Sequence, residues 1–378
     1  MTRPGLEAQL DDLPDDLRSE LTRFGFDRSW FLEKAGNLAA NGPGDNRVSG
    51  EVTAPAAGDI VDLPPEGSTE HERLARLGSE ALAAGQCALV VLAGGMATRM
   101  GGVVKALVEA LPGKSFLDLR LDDQRATEAV AGHVVPLWLM TSHSTERAIR
   151  EALAEALDGY RVATFPQRVS LRLDQTGVLF LDDNGRPSEH APGHGDLPEA
   201  LQNSGLLDSF VAKGGRHVMV ANLDNLGASL EPVVIGFHLD SQRPVTCEVV
   251  DKEGSDRGGI PARLDGRPVI LEEFRIPEAF DASSVPVFNT NSFHFDARAL
   301  KDLDIEWTYF AVEKDVDGSP AIQFERLVNE VTFVLDATYL RVPRHGSESR
   351  YLPVKDQEEL LARRADIEAV ARRTGSRA

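Results

Sequence analysis

The segment Leu92-Ala93-Gly94-Gly95-Met96-Ala97-Thr98-Arg99, continuing to Lys105, follows directly on the apolar run Ala88-Leu-Val-Val-Leu92. A Gly-Gly pair at the end of a strand lets the backbone come close to a phosphate or a base, and Arg99 and Lys105 behind it can neutralise oxygens. Read alone, the same turn is equally served by glycines needed only for their geometry. It is not a Walker A loop, because Gly113-Lys114-Ser115 has Val108 in place of the upstream glycine. Nor is it the Gly-x-Gly-x-x-Gly dinucleotide fingerprint, because Ala97 stands where the second glycine belongs. Asp224 closes the apolar run His217 to Asn222, which puts a carboxylate at the carboxyl edge of a parallel sheet, where ligands bind. By itself an Asp-Asn pair is also an ordinary turn cap. His190 and His194 have the spacing of a helical metal pair, but Pro192 and Gly193 break any helix between them. Cys87 and Cys247 are the only cysteines and form no CxxC, so a cysteine zinc site is excluded. No Gly-x-Ser-x-Gly elbow offers a serine nucleophile.

These residues need a sheet to hold them. Apolar runs at 88–92, 134–140, 160–165, 217–222 and 245–250 read as strands, with helical patterns between several of them, such as Ser144 to Leu157. Near-continuous apolar strands covered by helices predict a mixed, mostly parallel α/β sheet. Hairpin signals occur at Ser170 to Leu181 and at Arg263 to Leu271. The first 38 residues predict two short amphipathic helices, and Asn41 to Gly67, rich in Gly, Pro and Asp, predicts a loop or linker. Thr69-Glu-His-Glu72 fits a capping box, and Asp356 to Ala378 reads as one charged amphipathic helix. We expect an N-terminal helical segment and linker over 1–68, a catalytic domain over 69–345, and a lysine-bearing loop with a C-terminal helix over 346–378.

The chain has 378 residues, 42% hydrophobic and 26% charged, which suits an ordinary globular protein and not a disordered one. Its 40 basic and 60 acidic residues give a net charge of −20, a surface that repels a phosphate backbone, so no nucleic-acid partner is expected. A local cationic cluster still permits a small phosphorylated ligand. The N-terminus lacks a basic n-region and an apolar h-region, and no apolar run reaches eighteen residues. With two apolar-strand thiols, these features predict a protein of the reducing cytoplasm without a membrane partner.

In collinear order the segments Leu92-Ala-Gly-Gly, Ser115-Phe-Leu-Asp-Leu, Pro136-Leu-Trp-Leu-Met-Thr-Ser, Phe165-Pro-Gln167, Pro192-Gly-His-Gly-Asp196, Ser204-Gly-Leu-Leu, Val220-Ala-Asn-Leu-Asp-Asn225, Arg257-Gly-Gly, Phe288-Asn-Thr-Asn291 and Arg350-Tyr-Leu-Pro-Val-Lys355 resemble the eukaryotic-type UTP-glucose-1-phosphate uridylyltransferases, the UDP-sugar pyrophosphorylases. The resemblance implies a Rossmann-like nucleotidyltransferase fold. It implies a reaction in which a sugar-1-phosphate oxygen attacks the α-phosphorus of a nucleoside triphosphate and expels pyrophosphate. Two anions must meet, so positioning and charge neutralisation dominate.

Carried over residue by residue, the resemblance makes Lys105, Lys355 and Arg99 the catalytic cations and Asp224 the Mg²⁺ ligand. One carboxylate suits an octahedral site completed by phosphates and water. Leu92, Ala93, Gly94, Gly95, Gln167, Gly193 and Asn222 fall at nucleotide-binding positions, with Gln167 as the amide that reads the base. His194, Glu272, Asn289 and Asn291 fall at sugar-phosphate positions, the last three suited to hydroxyl groups. His194 stands where the related N-acetylhexosamine uridylyltransferases tend to have Asn, which favours an unsubstituted hexose.

The chain also departs from the family pattern. Ala97 replaces a loop glycine, Val104 the proline before the loop lysine, and Asn289-Thr-Asn-Ser292, followed by His294 in place of an aromatic beside the sugar pocket, replaces Asn-Thr-Asn-Asn. Only 23 residues follow Lys355, too few for the family's C-terminal β-helix, so a monomer or small homo-oligomer is expected. UDP-glucose formation from UTP and glucose-1-phosphate ranks first. A guanylyl- or other nucleotidyltransferase acting on a cyclitol or modified hexose 1-phosphate, with GTP as a possible donor, ranks second. A catalytically silent nucleotide-sugar sensor ranks third, and the presence of Lys105, Asp224 and Lys355 argues against it.

Overall fold

The computed structural model describes residues 4–375 apart from 43, 45, 98, 99, 255 and 317. Its central sheet has eight strands: β1 (Ile60–Asp62), β2 (Cys87–Leu92), β3 (Leu137–Thr141), β4 (Val162–Pro166), β5 (His217–Asn222), β6 (Val245–Asp251), β7 (Val287–Asp296) and β8 (Ala337–Arg341). They lie in the order β1-β8-β6-β7-β5-β2-β3-β4, and β7 alone runs antiparallel to its neighbours. This is the mixed, mostly parallel sheet that the alternation of apolar runs and helices predicts.

Strand periodicity sorts side chains to two faces. In β2, Ala88 and Val90 join one core, while Cys87, Leu89 and Val91 join the other. Both thiols are buried and unpaired, and burial pushes that of Cys87 up to about 12.

Three helices precede the sheet, α1 (Leu6–Asp11), α2 (Asp15–Arg23) and α3 (Arg28–Asn41), where the sequence predicts two. Pro14 and Asp27 each start a new one, and the three pack on Val169, Leu171, Leu173 and Phe324. The segment expected as a loop over 41–67 contributes β1, which pairs with β8 at the edge of the sheet. Helix α4 (Thr69–Ala83) is capped by Ser68, whose hydroxyl accepts from the His71 N–H, one residue before the expected cap. On the sheet lie α5 (Phe116–Ala131), α6 (Glu146–Leu153), α7 (Leu197–Asn203), α8 (Leu206–Ala212) and α9 (Pro232–Ser241), then α10 (Ala297–Lys301) beyond β7. The C-terminal helix is two, α11 (Gln357–Ala362) and α12 (Arg364–Gly375). The first expected hairpin closes at its turn, where Leu173 bridges Leu179 and the Phe180 N–H donates to the Arg172 carbonyl at 2.9 Å, while its outer end, Ser170–Leu171, pairs with Glu189–His190; Ile260–Leu264 and Arg267–Leu271 form the second as predicted. Among the described residues no helix is long and apolar enough to cross a membrane.

From β2 the chain steps outward through β3 to β4, then returns to place β5 on the other side of β2. Connections leave in opposite directions there, which opens a crevice at the carboxyl ends of β2 and β5.

His294 does not lie beside a pocket as expected. It is fully buried in the sheet, its ring bonding His217 at 2.9 Å and the Glu248 carboxylate at 2.7 Å. Burial lowers the pKa of six histidines: His143 and His194 to about 4, His190 and His238 to about 3, and His217 and His294 below the ordinary 6.5. Burial raises three carboxyls, Glu189 and Glu272 to about 7 and Glu330 above its ordinary value. As pH falls below 6.5 the unfolded chain protonates histidines that the fold keeps neutral, which destabilises the fold. Below 7 the three glutamates oppose this by holding protons that the unfolded chain releases, and the six histidines outnumber them. The melting temperature should therefore fall between pH 7.5 and pH 5.5 in scanning calorimetry; a flat or rising trend would contradict these burial assignments.

Candidate active site

The floor of the crevice is set by strand register. Leu92 pairs with Asn222 on one side and Met140 on the other, so three strand ends stand in line, and Gln167 follows β4 immediately. A short ribbon, Met96–Ala97 against Val103–Val104, folds the glycine turn back, and the Lys105 N–H donates to the Gly95 carbonyl at 3.2 Å. Lys105 is thereby placed over the turn. Its Nζ lies 2.5 Å from Asp224 Oδ2, although the two are 119 residues apart in the chain.

The resulting open cleft, about 920 Å³ counting the solvent at its mouth, is lined by nine of the expected residues: Leu92, Gly94, Gly95, Lys105, Gln167, Gly193, His194, Asn222 and Asp224. Among its described lining residues Lys105 is the one cation besides the titratable His194, and Asp224 the one anion. Met96, Met140, Ala191 and Leu223 also line it and were not expected. Each adjoins a motif residue, a signal that adjacency alone could have given. Ala93 is buried behind the turn, its N–H donating to the Met140 carbonyl. Ala97 is buried in the ribbon and does not line the cleft. Arg99 lies outside the described residues.

Gln167 is held by its backbone N–H on the Thr141 carbonyl, and its buried side-chain oxygen has no partner among the described residues. A primary amide with a free acceptor beside a free cleft can meet a donor on a base edge. His194 accepts the Val328 N–H at Nδ1, 3.0 Å away. Burial keeps the ring neutral, so Nε2 carries the proton and is the ring's donor.

Asn289, Asn291 and Glu272 do not line the cleft. On β7 the register slips between Asn289 and Phe293, and in this bulge Asn291 takes φ +60°, a left-handed conformation that Asn tolerates. The bulge aims the Asn291 amide at Asn222 Oδ1, 2.9 Å away, while Asn289 Oδ1 accepts the Asn291 N–H. Glu272 accepts from the Asn329 amide at 3.1 Å. Burial and then the Glu273 charge push its carboxyl up to about 7, which makes it half protonated near neutrality and able to accept from or donate to a hydroxyl. Lys355 is exposed and does not line the cleft; its backbone N–H donates to Glu359, and its charge acts on Asp256.

Among the described residues no three His, Cys, Asp or Glu side chains gather to hold a resident metal. The cleft offers one carboxylate, Asp224, and the Asn222 amide oxygen is already taken by Asn291. That donor set fits a hard cation that arrives with phosphates and completes its shell with their oxygens and water.

A Rossmann-like sheet carrying a glycine turn, a lysine and a carboxylate at its switch point defines the class: a nucleotidyltransferase-type α/β protein of the sugar-nucleotide pyrophosphorylase fold. The sequence model of the family described as UTP--glucose-1-phosphate uridylyltransferase matches residues 53–374. The chain belongs to this family. It is 30% identical over 334 residues to the UTP--glucose-1-phosphate uridylyltransferase of Musa acuminata, covering 84% of this chain and 68% of that one. It is 32% identical over 298 residues to that of Solanum tuberosum, covering 74% of this chain and 61% of that one. The UDP-glucose phosphorylase structure from Trypanosoma brucei superposes with a TM-score of 0.72 at 23% identity over 95% of this chain and 77% of that one. A UDP-N-acetylglucosamine pyrophosphorylase structure from the same organism gives 0.72 at 20% over 94% and 79%. The two structural likenesses establish the fold.

Proposed function

We propose that the protein forms a nucleotide sugar and pyrophosphate from a nucleoside triphosphate and a sugar-1-phosphate, with UTP and glucose-1-phosphate as the preferred pair and Mg²⁺ as the cofactor. The observation that carries this reading is the Lys105–Asp224 pair at the switch-point cleft, in a chain whose relatives bear that activity in their names. The oxygen of the sugar phosphate forms a bond to the α-phosphorus, and the bond from that phosphorus to the bridging oxygen breaks with its electron pair leaving on pyrophosphate. No proton needs to reach the protein, so the side chains bind, orient and neutralise.

Gly94 and Gly95 let the backbone approach the nucleotide, and Gln167 presents its amide to the base. Lys105 leaves the Asp224 carboxylate to place its ammonium on phosphate oxygens. The His194 Nε2–H donates to a phosphate oxygen, and Asn289, Asn291 and Glu272 serve the sugar side. Mg²⁺, when bound at Asp224, supplies positive charge to the phosphates. Lys355 sits on the segment tied to Asn225, whose amide accepts the Leu352 N–H at 2.7 Å and donates to the Arg350 carbonyl at 3.1 Å.

The test is a competition between equal UTP and GTP, with Mg²⁺ and glucose-1-phosphate, reading the sugar nucleotide and pyrophosphate formed. UTP should win by at least about tenfold, the discrimination of one or two base hydrogen bonds. Exclusive formation of a GDP-linked product, or no product with any hexose phosphate, would overturn the UDP-glucose assignment.

A further inference from the structure

The carboxylate that faces the cleft stands on an irregular segment, from the end of β5 at Asn222 to the start of α9 at Pro232. Among the described residues its backbone hydrogen bonds include Asn225 N–H to the Asn222 carbonyl, Ala228 N–H to the Asn225 carbonyl, and Leu223 N–H to Leu92 on the neighbouring strand. The Asn225 side chain, bonded to Leu352 and Arg350, and a side chain about 100 residues earlier hold its shape. Arg120, on α5, is 1% exposed, and its guanidinium donates to four carbonyls of this segment. Nη2 reaches Asn222 at 2.8 Å and Asn225 at 2.6 Å, Nη1 reaches Ala228 at 2.7 Å, and Nε reaches Leu223 at 3.3 Å.

A planar guanidinium with fixed donors can bridge carbonyls on both sides of Asp224 at once. The carbonyls of residues 222, 223 and 225 flank position 224, so they fix where its carboxylate projects. Burial pushes the Arg120 pKa down, and the carboxylates of Asp123 and then Asp224 push it back up. From the opposite side Arg350, itself buried and paired with Glu248, donates to the Ser229 carbonyl at 3.0 Å.

We propose that Arg120 is a positioning residue for Asp224: its guanidinium moulds the Asn222–Ala228 turn so that the carboxylate meets a divalent cation bound with the triphosphate. This inference rests on the proposed role of Asp224 as the metal ligand. It differs from a plain structural role, which would satisfy the same carbonyls without tuning the cation site.

The experiment compares Arg120→Lys, Arg120→Gln and, as reference, Asp224→Asn. Three readouts are taken: binding of Mn²⁺ to the protein–UTP complex by electron paramagnetic resonance, UDP-glucose affinity in EDTA, and melting temperature. Arg120→Gln should weaken Mn²⁺ binding about tenfold and Arg120→Lys less, since a lysine keeps one donor group, with UDP-glucose affinity changed less than about twofold. If Asp224→Asn weakens Mn²⁺ binding while both Arg120 variants bind it as the parent does, the inference fails and the Asp224 reading stands. If Asp224→Asn itself binds Mn²⁺ normally, the Asp224 reading fails. Parallel loss of Mn²⁺, UDP-glucose and thermal stability, or loss of cooperative melting in both Arg120 variants, would overturn the inference in favour of a structural role alone.

Discussion

Asp224→Asn should lower kcat/KM for pyrophosphate release by about 10³-fold or more, the scale of losing a metal clamp and the charge it brings to the phosphates. The substitution keeps the volume of the side chain and should leave the fold intact. Among the described residues Asp224 contributes one ion pair, to Lys105, and the turn that carries it is held by Arg120 and Asn225. The melting temperature should stay within a few degrees of the parent, so lost activity reports the site and not the fold. Removing the divalent ion with a chelator should silence the parent protein in the same assay. Retention of most of the Mg²⁺-dependent rate by Asp224→Asn would remove this carboxylate from the reaction.

Gly94→Ala should cost about 30-fold in apparent UTP affinity, near 2 kcal/mol, the scale of one or two displaced base contacts. A Cβ on Gly94 would stand 2.3 Å from the Gln167 side-chain nitrogen, and its next contact, Ser142 Cβ, is at 3.4 Å. The atom that must yield is the far end of a flexible side chain, so the methyl group displaces the amide while leaving the backbone in place. Stability should change little. The effect should pass through Gln167: once Gln167→Ala is made, adding Gly94→Ala should cost little more, a strong departure from additivity in a double-mutant cycle. Among the described residues Gly95 has nothing within 4 Å of its Cβ position, so Gly95→Ala should leave Gln167 seated. Full additivity of the Gly94 and Gln167 substitutions would show that the Gly94 effect does not pass through the amide, and an unchanged UTP affinity in Gln167→Ala alone would show that the amide does not read the base.

Much of the candidate site was legible in the sequence because strand ends and turns are local chemistry. The apolar run 88–92 followed by Gly94-Gly95 identifies a strand and the turn after it, and the run 217–222 puts Asp224 just past a second strand end. Parallel pairing of these two strands then suffices to bring the turn and the carboxylate together, as the register Leu92↔Asn222 shows. The family resemblance pointed to the Asn289 and Asn291 amides, although the β7 bulge that aims Asn291 at Asn222 is set by pairing with β6, which the motif does not encode.

By itself the sequence determined the α/β class, the strands that build the cleft, and the lysine and carboxylate at their ends, since apolar runs and glycine turns are properties of near neighbours, while the Gln167 amide was reached through the family resemblance. Only the tertiary structure decided that His294 belongs to a buried chain with His217 and Glu248, that Asn41 to Gly67 supplies an edge strand, and that Arg120 braces the Asp224 turn. On its helix Arg120 reads as one more charged residue in a charged amphipathic stretch. What removes it from water is a row of backbone carbonyls more than 100 residues away in the chain, brought to it when α5 packs over the end of β5. A buried guanidinium is tolerated where its donors are satisfied, and which carbonyls satisfy them depends on the packing of helix on sheet, not on the residues beside it in sequence.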